Sequence, residues 1–242
     1  MVSNQFDYLA YGTELKQAKK LIVLLHGFGR SAVFMEKVAE EIEKKVPDAA
    51  IIVPQAPELL DLPVSDDNYI LPVPQILKDD KVEQSLKRQW FTVESRDYAE
   101  MAKMIYQVST KMNDFIDDFR DEAGLNDSDI AVMGFSQGGA VALYSAFMRD
   151  NPLACVVGHS TVFWETPFLQ SKPPTYFIYG TADEEFSEQQ YKGVLERLQN
   201  YLGADHLLDV SVVKGLSHKT SKESRLLTAD YLADQLNKPP KP

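Results

Sequence analysis

Ser136 stands in Gly134-Phe135-Ser136-Gln137-Gly138, the one G-x-S-x-G pattern in the chain. So short a pattern says little alone, and its setting says more. Ile130–Met133 reads as a strand and Gly138–Met148 as a helix, so the serine falls on a sharp strand-to-helix turn that exposes its oxygen at the end of a sheet. A Cβ two residues before or after would collide across such a turn, which the flanking glycines avoid. The helix N-terminus beyond it favours negative charge developing nearby. The chemistry on offer is nucleophilic attack by a serine oxygen.

A serine hydroxyl is hardly ionised at neutral pH and needs a base. The chain has four histidines, and an elbow of this kind takes its partners in the order Ser, Asp or Glu, His. His218 follows the strand-like run Leu208–Val213, so it leaves the carboxyl end of a strand, where ligand sites of open α/β sheets form. His206 precedes that run and is expected at the opposite edge. His159 lies just past Ala154–Val157 and is expected to line the pocket. His26 precedes the nucleophile and is expected to pin its own loop by hydrogen bonds. His218 is therefore the candidate base. A base that must be neutral predicts activity rising through roughly pH 6 to 7, where an ordinary imidazole loses its proton.

The orienting acid should also follow a strand. Asp183 is the first carboxylate past Thr175–Tyr179, with Glu184 and Glu185 as near rivals. Its task would be to accept the imidazole N–H and fix the tautomer. Acyl transfer also needs donors for the oxygen that becomes negative. The N–H of Gln137, after the nucleophile, is one candidate. Leu21–Leu25 runs into His26-Gly27-Phe28-Gly29, whose glycines let the backbone approach a substrate, and the Phe28 N–H is the other; each such donor is worth ~3 kcal/mol in the transition state.

These residues need a scaffold that brings strand ends together. Short β-branched runs alternate with helical patterns, the mark of βαβ units and a mostly parallel sheet with helices on both faces. Leu21–Leu25, Ala50–Val53, Ile130–Met133, Ala154–Val157, Thr175–Tyr179 and Leu208–Val213 read as strands, and Phe6–Tyr11 as an antiparallel edge strand. Helices are expected over Ser31–Lys45, Asp97–Glu122, Gly138–Met148, Ser187–Leu202 and Ser221–Leu236. The second carries Tyr98, Met101, Ile105, Val108, Met112, Phe115, Ile116 and Phe119 at spacings of three and four, with Gly124 as its stop. Glu58–Lys87 holds Pro63, Pro72 and Pro74 and little periodicity, and reads as a lid-like loop in a single domain spanning 1–242.

Composition excludes several alternatives. With 36 acidic and 25 basic residues the net charge is −11, which repels phosphate backbones, so nucleic acid is not an expected partner. Cys155 is the only cysteine, which excludes an internal disulfide and any site built on cysteine-bound zinc. No stretch approaches the ~20 apolar residues of a membrane span. Met1–Tyr11 has no basic-then-apolar pattern, and a cytoplasmic location is the expectation.

LLHGFG (24–29), Val53-Pro54-Gln55-Ala56-Pro57, Arg88-Gln89-Trp90-Phe91, GFSQGGA (134–140), GTAD (180–183) and GLSH (215–218) together resemble the phospholipase/carboxylesterase family of α/β-hydrolases, which includes the acyl-protein thioesterases. The RQWF segment is similar to the bacterial carboxylesterase branch, and the resemblance spans roughly residues 20 to 236. It implies triad roles for Ser136, Asp183 and His218, and oxyanion roles for Phe28 and Gln137. It places Gln55 and Trp90, with Gly27, about the acyl pocket. It further implies ester, thioester, lysophospholipid or acylated-protein substrates, no cofactor and no metal, and a monomer or homodimer. The chain departs from the family pattern at Arg30, Val33 and Phe34, and at Glu184-Glu185-Phe186-Ser187, differences that bear on substrate preference. A non-catalytic binding module on the same fold and an acyltransferase are the alternatives.

Overall fold

The computed structural model of the chain describes residues 6–60, 87–92, 98–203 and 207–238. Seven strands among these form one sheet: β1 (Tyr8–Gly12), β2 (Lys20–Leu25), β3 (Ala49–Pro54), β6 (Ile130–Phe135), β7 (Cys155–His159), β8 (Thr175–Gly180) and β9 (Leu208–Val213). Their spatial order is β1-β3-β2-β6-β7-β8-β9. Only β1 runs antiparallel, against β3; every other neighbouring pair is parallel. The expected strands are all present, and the apolar runs of β3, β6, β7 and β8 are buried along their whole length. The two edge strands differ: β1 alternates between exposed and half-buried positions, and β9 is exposed or half-buried along all but its last residue.

Alternation along β2 shows how the layers form. Leu21, Val23 and Leu25 point into the core shared with α2 (Tyr98–Ala123), α3 (Gln137–Phe147) and α4 (Glu188–Leu202). Ile22 and Leu24 point the other way, toward α1 (Glu36–Lys45) and α5 (Lys222–Leu236). On α2, Ile105, Val108, Met112, Phe115, Ile116 and Phe119 are buried, as their spacing requires; the side chain of Tyr98 lies outside the described residues. Gly124 ends this helix with φ of 68°, a left-handed conformation that costs glycine little. Ser187 and Ser221 each close a capping box at the head of α4 and α5, so these two helices begin one residue after the expected serine.

The helix expected over Ser31–Lys45 is shorter. Ala32–Met35 forms a 3-10 turn, and α1 starts only at Glu36. The Gln55 side chain, just past β3, accepts the Ala32 N–H at 2.7 Å, so this turn is tethered from the end of β3 as well as by its own bond from the Phe34 N–H to the Ser31 carbonyl.

Two further short strands, β4 (Glu58–Leu59) and β5 (Arg88–Gln89), pair antiparallel. They clasp the two ends of the segment read as a lid-like loop, and the Leu60 N–H reaches the Lys87 carbonyl at 2.9 Å. Residues 61–86 of that loop, with Pro63, Pro72 and Pro74, lie outside the described residues, as do Asp205 and His206. No helix among the described residues is long and apolar enough to cross a membrane.

Candidate active site

Ser136 sits between β6 and α3 with φ of 53° and ψ of −119°, a backbone conformation that a side-chain-bearing residue rarely adopts. The turn is over-determined by close backbone packing. A Cβ on Gly134 would lie 2.1 Å from the Gly138 carbonyl oxygen, and one on Gly138 would lie 2.3 Å from that of His26. Neither distance is tolerable, so both glycines are obligatory. The strain holds the serine side chain out at the carboxyl edge of the sheet, where it stays partly exposed.

Two further parallel strand ends deliver its partners. His218 follows β9, and its Nε2 lies 2.9 Å from Ser136 Oγ. Its Nδ1 lies 2.9 Å from Asp183 Oδ2, just past β8. Of the three consecutive carboxylates it is Asp183 that meets the ring. Glu184 instead accepts the backbone N–H of His218 at 3.1 Å, and the Glu185 N–H turns back to Asp183 Oδ1 at 2.9 Å. The Asp183 side chain is wholly buried while that of His218 is 13% exposed. The imidazole is flanked by the rings of Phe135 at 5.0 Å and Phe186 at 5.7 Å.

The tautomer follows from the acceptors. Burial pushes the Asp183 carboxyl upward, but hydrogen bonds from Tyr191, His218 and the Phe186 N–H outweigh it and hold the group below its ordinary range. An ionised carboxylate can only accept, so Nδ1 of His218 carries the proton and Nε2 is free to accept the serine O–H. Tyr191, whose hydroxyl donates to Asp183 Oδ2 at 2.6 Å, was not among the expected site residues. It falls on the apolar stripe of α4 with Val194 and Leu198, which reads as core. Its only outward signal is a hydroxyl near the start of a helix that follows the aspartate.

The expected oxyanion donors occupy the same edge. The N–H of Gln137 opens α3, where first-turn donors have no intrahelical acceptor. The Phe28 N–H meets no backbone acceptor among the described residues, whereas its neighbours Gly29 and Arg30 donate to Arg88 and Gly27. Gly27 runs so close beneath that a Cβ would lie 2.9 Å from the Phe135 ring and 3.3 Å from Ser136 Cβ. The Gln137 side chain is itself occupied: it accepts the Trp90 N–H at 2.8 Å and donates to the Phe91 carbonyl at 2.7 Å.

Behind this edge lies a bracing layer. His26 Nε2 accepts the Ala56 N–H at 3.1 Å, so Nδ1 carries the proton and donates to the Gly27 carbonyl at 2.9 Å. Burial drives the His26 imidazole down to about 4, so it stays neutral and acts as the pin expected of it. The Trp90 indole N–H reaches the His26 carbonyl at 2.7 Å. Trp90 and Gln55 are nearly fully buried, so both brace the loop from within and present no open surface to a mouth.

His159 corrects the sequence reading. It is the last residue of β7, paired in register with Phe135, and it is fully buried. It therefore lies beneath the site and does not form its wall. Neither ring nitrogen has a partner outside its own residue, and burial drives the imidazole down to about 3.

Volume is a poor guide to the reactive edge. A cavity of about 880 Å³ lined by Ser128, Leu153, Pro174 and Leu207 opens at the amino ends of the strands, away from Ser136. No group of three or more His, Cys, Asp or Glu among the described residues converges so as to hold a metal ion.

A family model described as Phospholipase/Carboxylesterase matches residues 61–233, beginning after the LLHGFG segment. The fold is shared with solved structures. Esterase PE8 superposes with a TM-score of 0.76 at 21% identity, over 96% of this chain and 100% of that one. Arabidopsis thaliana SOBER1 gives 0.68 at 19% identity, over 91% and 100%. The Bacillus cereus carboxylesterase gives 0.66 at 14% identity, over 96% and 95%. The family match covers most of the chain, whose sheet is mostly parallel with helices on both faces: this protein belongs to the phospholipase/carboxylesterase family of α/β-hydrolases.

Proposed function

We propose that this hydrolase cleaves carboxylic esters or thioesters through an acyl-enzyme formed on Ser136, with His218 as general base and Asp183 as its orienting carboxylate. One observation carries the reading: a single imidazole makes two 2.9 Å contacts, one to a strained serine oxygen and one to a buried aspartate. Family membership supports the reaction class.

In the first step Ser136 Oγ attacks the acyl carbonyl carbon while His218 Nε2 takes its proton. The carbonyl oxygen becomes negative and takes hydrogen bonds from the N–H groups of Phe28 and Gln137 in this reading. The imidazolium, stabilised by Asp183, returns the proton to the departing alcohol or thiol as the C–O or C–S bond breaks. Water then attacks the acyl-enzyme by the same route, its proton passing through His218, and releases the acid.

Acyl groups from short carboxylic esters to lysophospholipids and acylated proteins share this chemistry. Initial rates with esters and thioesters of increasing chain length rank them. Replacing Ser136 with alanine abolishes turnover of p-nitrophenyl butyrate in this account, and a variant as active as the wild type would sink it. A non-catalytic binding module would show no turnover in either form.

A further inference from the structure

We propose that Tyr191 is a positioning residue for this reaction: its hydroxyl shares the Asp183 oxygen that faces the imidazole and draws off part of the charge that holds the ring. The inference rests on the function proposed above for Asp183 and His218.

Asp183 receives four hydrogen bonds. Oδ1 takes the N–H groups of Glu185 at 2.9 Å and Phe186 at 3.0 Å, and Oδ2 takes the Tyr191 hydroxyl at 2.6 Å and His218 Nδ1 at 2.9 Å. The two backbone donors fix the plane of the carboxylate without help from Tyr191. The hydroxyl is therefore not needed merely to keep Asp183 in place, yet it sits on the one oxygen that matters for proton transfer. Tyr191 is fully buried, with its ring 4.5 Å from that of Tyr179 and 5.8 Å from that of Phe186, so it has no room to swing away. Burial, reinforced by Asp183, raises its phenol well above the ordinary value, so the group is always the donor.

A carboxylate oxygen that already accepts a strong hydrogen bond attracts an imidazolium less. Tyr191 thus loosens the hold of Asp183 on the proton that His218 must pass to the leaving group, while leaving the ring oriented. The other groups facing His218 are the Ser136 hydroxyl at the head of α3, the Glu184 carboxylate on its backbone N–H, neutral His159 at the end of β7, and the rings of Phe135 and Phe186. Those facing Tyr191 are Asp183, the Ser160 hydroxyl, Tyr179, Phe177 and Phe186. Removing the hydroxyl alone takes one hydrogen bond from Asp183 and one neighbour from the Ser160 hydroxyl, and leaves the rings in place.

Tyr191→Phe removes only that hydroxyl. Two profiles are measured on it and on the wild type: kcat against pH with p-nitrophenyl butyrate, and an NMR titration of 15N-labelled histidine, with the His218 signals assigned by their loss in His218→Gln. Both acid-side midpoints are expected to move to higher pH by about half to one unit. At a fixed acidic pH the variant then turns over about three- to tenfold more slowly, while the high-pH plateau changes less. Incorporating 3-fluorotyrosine at position 191, a stronger donor of the same shape, moves both midpoints the opposite way and decides the matter if the phenylalanine variant does not fold. Midpoints that stay in place, or move down in Tyr191→Phe, overturn the proposal. A wild type without esterase activity overturns the function on which it rests, and the NMR titration still reads the hydrogen bond separately.

Discussion

The side-chain carbonyl of Gln137 accepts the Trp90 N–H at 2.8 Å, fastening the residue after the nucleophile to a segment 47 positions earlier. The same side chain donates to the Phe91 carbonyl, and the backbone of Arg88 exchanges hydrogen bonds with Gly29 and Arg30. The β5 segment thereby holds the strands of backbone that carry both proposed oxyanion donors. Gln137→Leu keeps the backbone N–H and removes the tether. A misplacement of order 1 Å is enough for a loss of roughly 10²-fold, so kcat for p-nitrophenyl butyrate is expected to fall by about 10- to 100-fold with the fold retained by circular dichroism. An unchanged kcat would show that the tether does not set the geometry.

Asp183→Asn tests the tautomer argument. The amide can be accommodated, but it presents an N–H where an acceptor is required, and the imidazole then favours the proton on Nε2, facing Ser136. A loss in kcat on the order of 10³- to 10⁴-fold is expected, with little change in thermal midpoint. A loss below tenfold would mean that the ring does not depend on this carboxylate.

Two buried histidines set the acid stability. The folded-state values of about 4 for His26 and about 3 for His159 lie below the ordinary imidazole value of 6.5. As pH falls below about 6.5 the unfolded chain takes up protons that the folded chain refuses, so the stability present at neutral pH is lost progressively toward pH 4. His26 alone can account for up to about 3 kcal/mol of this change. The urea midpoint should therefore drop between pH 7.5 and 4.5, and the drop should be shallower in His159→Leu, since His159 makes no hydrogen bond to another residue. Equal slopes in the two proteins would mean that His159 is not held neutral.

Local pattern made much of this architecture readable. Runs such as Ala49–Pro54 and Thr175–Gly180 are apolar because they are covered on both faces, and that shows in composition alone. Ser136, Asp183 and His218 could be singled out because each follows a strand, and a parallel sheet puts such ends on one edge. Contacts that depend on depth or on side chains crossing between distant segments could not be read. His159 and His218 both come after apolar runs, yet one is the last residue of β7 within the sheet and the other sits on a loop. Tyr191 carries an apolar ring at a core position, and its hydroxyl finds Asp183 only once α4 has docked. The Gln137 tether and the 3-10 turn at Ala32–Met35 likewise depend on partners far along the chain.

The most direct test is to treat the wild type with a fluorophosphonate ester and map the adduct by peptide mass spectrometry. One phosphonyl group per chain is expected, on Ser136, formed much more slowly in His218→Ala. An adduct at another residue, or no adduct in an enzyme that still hydrolyses esters, would contradict this expectation.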